Sequence, residues 1–148
     1  MLGARVRGRA VLRFCLALLA ATLATIAPAR AFEPAGLWLT ELQAEIMISP
    51  CFQGYCGIVA KPVKPGLFDI NNPDPRLRGR PIEGMPMIWL TEASSSQVWE
   101  AQLYNPIDGK MYAGEVRMRD ARTIYLRGCV FFVFCKAETW VKLDGRQP

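Results

Sequence analysis

The sequence predicts an all-β protein: an eight-stranded antiparallel up-and-down barrel preceded by a signal-peptide helix. Three observations carry this expectation. The long uninterrupted apolar run sits at the N-terminus. Beyond it no amphipathic helical period recurs. What recurs instead are short runs rich in Val, Ile, Trp, Tyr and Met, separated by Gly, Pro, Asn and Asp, which is the pattern of strands and turns.

The N-terminal segment reads in three parts. Arg5, Arg7, Arg9 and Arg13 form a basic start without an acidic residue, and Phe14 to Ala27 is the apolar run, which Pro28 breaks. Ala29-Arg30-Ala31 then supplies the small residues that signal peptidase requires, so cleavage is expected between Ala31 and Phe32. The run is shorter than the ~20 residues of a membrane-spanning helix, so the protein is not expected to span a membrane after cleavage. Residues 1–31 are thus read as a secretory signal and residues 32–148 as one domain, periplasmic or secreted.

Taking off that segment changes the chemistry. The formal net charge of +5 comes from 18 Lys plus Arg against 13 Asp plus Glu. Arg5, Arg7, Arg9, Arg13 and Arg30 all fall in the signal, so the domain carries 13 charges of each sign. No basic excess remains to neutralise phosphates, and nucleic acid is excluded as an expected partner. Of the five cysteines, Cys15 lies in the signal, which leaves Cys51, Cys56, Cys129 and Cys135. An even count in an exported chain points to two disulfides. Closeness in sequence favours Cys51–Cys56 and Cys129–Cys135, with crossed pairing left open. The spacings do not match a zinc site, and the chain has no histidine.

Along the domain, strands are expected at 36–41, 44–49, 56–61, 85–91, 97–104, 110–117, 123–128 and 138–142. The clearest hairpin joins the fifth and sixth through Asn105-Pro106-Ile107-Asp108-Gly109, where Asp108-Gly109 suits positive φ. Alternation supports it: Trp99, Ala101 and Leu103 share one face, Glu100 and Gln102 the other. Eight such strands can close into a barrel that removes exposed edges and is just wide enough for a side-chain core or one small ligand. A β-sandwich is the alternative architecture. The long connection from Pro62 to Gly84 contains Asp69-Ile70-Asn71-Asn72-Pro73-Asp74-Pro75-Arg76-Leu77-Arg78-Gly79-Arg80-Pro81, whose prolines forbid a regular ladder. It is expected to be an ordered loop or lid.

These residues carry a resemblance. Gly36-Leu37-Trp38, Ile48-Ser49-Pro50-Cys51, Cys56-Gly57, the Asp69–Pro81 string, Tyr104-Asn105-Pro106 with Asp108-Gly109-Lys110, Leu126-Arg127-Gly128-Cys129 and Thr139-Trp140 together resemble a bacterial family catalogued as domain of unknown function 2147. The resemblance implies a small exported protein with a lipocalin-like barrel, and brings no substrate, cofactor or catalytic residue with it. Gly36-x-Trp38 is also similar to the lipocalin entry motif, whose Trp closes the barrel bottom beneath a late-strand Arg. Arg127 is placed for that role, with a cation–π contact.

The candidate chemistry is sparse. Absence of histidine removes the Ser-His-Asp triad and most metal sites, and no phosphate loop or dinucleotide motif occurs. No cofactor and no catalytic residue is therefore expected. Asp69, Asn71, Asn72 and Asp74 fail the calcium-loop spacing, because Pro73 takes a ligand position. These acids either pair with Arg76, Arg78 and Arg80, or the arginines clamp a carboxylate or phosphate. The methionines are expected in packing. Phe131–Phe134, between Cys129 and Cys135, is expected to plug one barrel end or to present an apolar patch.

The resulting reading is a lipocalin-like module holding a small, largely apolar ligand. Trp89, Trp99 and Tyr112 are its expected pocket residues, and Asp69, Asn72, Asp74, Arg76, Arg78 and Arg80 lie on the gating loop. The alternative is an envelope interaction protein using the 69–81 loop or the 131–134 tip. No oligomeric state is implied.

Overall fold

The computed structural model describes residues 33–143 apart from Gln53, Ser96 and Phe132. The segment 1–31, expected to be a signal, lies outside the described residues. Eight strands follow in order: β1 Gly36–Leu39, β2 Glu45–Cys51, β3 Gly54–Lys61, β4 Pro86–Ser95, β5 Val98–Asn105, β6 Lys110–Asp120, β7 Thr123–Val130 and β8 Phe134–Lys142. Each pairs antiparallel with the next, and β8 returns to β1, so the sheet closes into a barrel. That last pairing excludes the sandwich. Pro86 opens β4, a position where a missing ladder donor costs little.

Period-two alternation decides which side chains enter the barrel. Ile46 and Ile48 of β2, Ile88 and Leu90 of β4, Trp99 and Ala101 of β5, Val116 and Met118 of β6, and Ile124 and Leu126 of β7 are buried in one cluster. Trp38 and Trp140, among the largest fully buried side chains, join them.

The antiparallel order gives the barrel two distinct ends. The chain entry, the turns after β2, β4 and β6, and the end of β8 gather at one end. The β1–β2 turn, the long 62–85 connection, the β5–β6 turn and the β7–β8 tip gather at the other. We refer to them as the closed end and the loop end.

At the closed end Trp38 has no exposure, and its indole Nε1 donates to the Pro34 carbonyl at 2.8 Å. The cation above its ring is Lys142, with Nζ 5.3 Å from the centroid, and not Arg127. Strand phase explains the correction. Leu126 and Gly128 take the inward positions of β7, so Arg127 points outward, where its Nη2 lies 3.9 Å from Cys135 Sγ. Lys142, by contrast, sits directly opposite Trp38 in the β1–β8 register.

Both disulfides close hairpins: Cys51–Cys56 at the β2–β3 turn and Cys129–Cys135 at the β7–β8 tip. Cys129 and Cys135 are direct cross-strand partners, and the ladder continues to Val130–Phe134. Strand β8 thus begins four residues earlier than expected, and the tip is not a plug. Phe131, Val133 and Phe134 are 83%, 73% and 73% exposed. A plug would need a loop long enough to fold back, and the ladder leaves only three residues between the strands. Phe132 of that tip lies outside the described residues.

The β7–β8 crosslink spans a short loop, and closing it in the unfolded chain is worth about 2 kcal/mol by chain entropy. Replacing Cys129 and Cys135 together by serine is expected to lower unfolding free energy by about that amount while the barrel's circular dichroism spectrum is retained. Urea titration of the variant against the parent measures it.

Candidate functional site

The closed half of the barrel is filled by Trp38, Leu90, Trp99, Val116 and Ile124. The loop half is not. There a cavity of about 240 Å³ opens between the strands and the loops. Ile46, Val59, Met87, Leu103, Leu126 and Trp140 line it from the strands. Leu42, Ala44, Val63, Leu67, Ile82 and Ile107 line it from the β1–β2 turn, the long loop and the β5–β6 turn. The wall is predominantly apolar, as small-molecule sites are.

A few polar groups interrupt it. Thr40 accepts the Ala44 amide on Oγ1 at 3.0 Å, which fixes the tight β1–β2 turn. The Tyr112 hydroxyl donates to Asp108 Oδ2 at 2.5 Å. That bond, and secondarily burial, push the Tyr112 hydroxyl pKa upward. Lys136 and Glu138 complete the polar part of the wall.

The expected pocket residues divide three ways. Tyr112 lines the cavity. Trp99 is packed into the filled half. Trp89 alternates with the buried Ile88 and Leu90 and so stands on the outer face of β4.

Among the described residues, none of Asp69, Asn72, Asp74, Arg76, Arg78 and Arg80 lines that cavity. They build the loop itself. Asp69 is 0% exposed and accepts three hydrogen bonds, from Tyr104 Oη at 2.6 Å, Asn72 Nδ2 at 2.7 Å and Arg80 Nε at 3.0 Å, while Arg80 Nη2 pairs with it at 2.8 Å. Asn72 also reaches Tyr104 Oη at 3.0 Å, and Arg78 Nε donates to the Asn72 carbonyl at 2.8 Å. Asp74 caps the 3-10 turn Pro75–Leu77 by accepting the Arg76 amide. The Arg76 guanidinium, which also bonds Asp74, holds that carboxyl below its ordinary value. Each arginine is therefore engaged within the loop. The loop is a clamped wall, built from contacts within itself.

Tyr104 is what the sequence reading missed. It follows Leu103 on β5, lies under the long loop and joins the cavity wall there. Its placement next to Asn105-Pro106 was the available signal, because the same turn receives Asn71, whose Nδ2 donates to the Ile107 carbonyl at 2.8 Å. Gly109 completes this contact. Its φ is +67°, and a Cβ there would collide with the Asn71 carbonyl oxygen. Lys136, Glu138 and Trp140 were also missed as cavity residues. Phasing β8 on Trp140 places all three on its inner face.

Comparison with known proteins agrees with this architecture. Residues 36–142 match the model of a family described as an uncharacterized protein conserved in bacteria (DUF2147), and the chain belongs to that family. None of the curated proteins matches. Among solved structures, the chain is similar to protein HP1028 from Helicobacter pylori, described as belonging to the lipocalin family. The two share 20% identity at a TM-score of 0.68, covering 76% of this chain and 84% of that one. At that identity the likeness shows the fold: a closed, lipocalin-like barrel. The two disulfides fit a non-cytoplasmic protein.

The clamp makes a pH prediction. Burial first, and the bond to Asp69 second, raise the Tyr104 hydroxyl above its ordinary 10.0. A raised folded-state value means the stabilisation is complete below the unfolded value and is lost as pH rises through the folded one. Thermal stability is expected to fall above about pH 10 as this hydroxyl ionises. Tyr104→Phe is expected to cost about 1–3 kcal/mol at neutral pH, since Asp69 loses a buried donor, and to flatten that alkaline limb. Denaturation of both proteins across the pH range checks it.

Proposed function

We propose that this DUF2147 protein is an exported, periplasmic binding module that holds a small, largely apolar ligand in the loop half of its barrel. The observation that carries the reading is the half-filled interior. Apolar side chains pack the closed end completely, while similar side chains at the loop end surround about 240 Å³. An apolar wall around such a volume suits a ligand smaller than most drug-sized molecules, whose sites begin near ~300 Å³. The lipocalin-like fold of a similar protein supports it. Export and cleavage between Ala31 and Phe32 rest on the three-part N-terminal segment and on the two disulfides. N-terminal sequencing of protein recovered from the periplasm is expected to start at Phe32.

A second reading, contact with an envelope protein through the β7–β8 tip, is favoured by the exposure of Phe131, Val133 and Phe134. It predicts that Phe131→Ser with Phe134→Ser abolishes a crosslink to a defined envelope partner and leaves ligand binding intact.

Trp140 in the cavity wall supplies a reporter for the first reading. Titration with 1-octanol is expected to quench tryptophan fluorescence with a Kd on the order of 0.1 mM, in keeping with its few heavy atoms. Ala44→Phe, which narrows the mouth, is expected to weaken that binding about tenfold or more. Unchanged binding by this variant would move the ligand elsewhere.

A further inference from the structure

The inner face of β8 is unusual for a barrel of this kind. Trp140 is buried and Lys142 lies over Trp38, so the phase of the strand is fixed, and Lys136 and Glu138 fall on the same inward side. Each of these charges has a different situation. Lys142 belongs to the closed end. Lys136, largely exposed, is drawn to the rim, with Nζ 3.9 Å from Asp108 Oδ2 and 5.7 Å from the centre of the Tyr112 ring. Glu138 stays in the cavity wall, half-buried. Its Oε2 accepts the Trp140 indole at 2.9 Å. Among the described residues no cation lies within ion-pair distance of it, and no donor reaches Oε1.

We propose that Glu138 selects ligands carrying a protonated amine on a compact apolar body. The ammonium donates to Glu138 Oε1, and the body occupies the cavity among Trp140, Leu126 and Leu103. This rests on the ligand-binding reading above and names its chemical class. Two physical arguments point to a cation rather than an anion. A carboxylate in an apolar wall gains most from a charged donor, since hydrogen bonds to ionised groups are about twice as strong as neutral ones. The Trp140 ring beside Glu138 adds cation–π attraction, while the Tyr112 ring is taken by the Lys136 ammonium. An anionic head at Lys136 would instead sit beside Asp108, which holds that lysine, and next to Glu138 on the same face of β8.

The test compares three probes of equal chain length, octylamine, 1-octanol and octanoate, on the purified protein at neutral pH by calorimetry and tryptophan fluorescence. Octylamine is expected to bind about tenfold more tightly than octanol, with octanoate weakest. Glu138→Gln keeps an oxygen for the Trp140 indole and removes the charge. It is expected to reduce the preference for octylamine over octanol to about threefold or less. Should Glu138→Gln lower the thermal midpoint, Glu138→Met provides a second neutral wall with the same expectation. Equal affinity for octylamine and octanol in the parent protein overturns the amine selection and leaves the cavity reading standing. So does tightest binding of octanoate, abolished by Lys136→Met. If none of the three probes binds, the ligand-binding reading itself fails, and this proposal with it.

Discussion

A carboxylate removed from water must receive its hydrogen bonds from the protein, and Asp69 receives three, with the Arg80 Nη2 ion pair beside them. That requirement organises the loop end of the barrel. Tyr104 comes from β5, Asn72 from three residues downstream and Arg80 from eleven, so a single buried group gathers two ends of a loop and a strand. Removing one member of such a pair typically costs 3–5 kcal/mol, because it strands a charge in a low-dielectric site. Prolines at 73, 75 and 81 reduce the freedom of the unfolded loop, so less entropy opposes the clamp. The consequence is functional geometry: Val63, Leu67 and Ile82, on the flanks of the clamp, are held as a wall of the cavity.

The empty half of the barrel follows from side-chain size as much as from the loop. Trp38, Trp99 and Ile124 occupy the closed end. Toward the loop end, inward positions fall to Gly128 of β7 and to Ala44 where β2 begins. A Cβ on Gly128 would lie 3.0 Å from Tyr112 Cβ, so even alanine would press on the stem of the side chain that borders the cavity. The barrel is thus a graded interior, dense where Trp38 seals it and open where glycine and alanine replace bulk. An eight-stranded barrel sits at the size where this choice is available, since its interior can be filled or can hold one small ligand.

Much of the fold was legible because its signals are local. Hairpin turns, period-two alternation and cysteines close in sequence depend on neighbours along the chain, and the eight strands and both disulfides followed from them. Charge on the inner face of β8 was not legible in the same way. Lys136 and Ala137 precede the strand expected at 138–142, and only the pairing of Cys129 with Cys135 carries the ladder through them. The Arg127 expectation failed for a related reason: a Trp–cation contact is set by register across the barrel seam, where Lys142 faces Trp38. In the long loop the residue types were informative but their purpose was ambiguous. Asp69, Asn72 and Arg80 in one string fit a ligand clamp or a self-clamp, and the structure shows Asp69 buried and paired with Arg80.

The seam between β1 and β8 connects these features. β1 has four residues, and its ladder with β8 covers two pairs, Trp38–Lys142 and Leu39–Val141. Above them, toward the loop end, β8 runs on from Val141 back to Phe134 without β1 beside it. A side-chain bond substitutes there, from the Thr139 amide to Glu41 Oε1 at 2.8 Å. Lys136 and Glu138 lie on this unpaired stretch. Across the mouth the long loop is pinned by a buried ion pair, whereas this side is closed by an exposed glutamate and the β1–β2 turn. Exposed hydrogen bonds open more easily than buried charge networks. By that principle the seam side, which carries Glu138 on the inner face of β8, is expected to open at lower cost than the side pinned by the long loop.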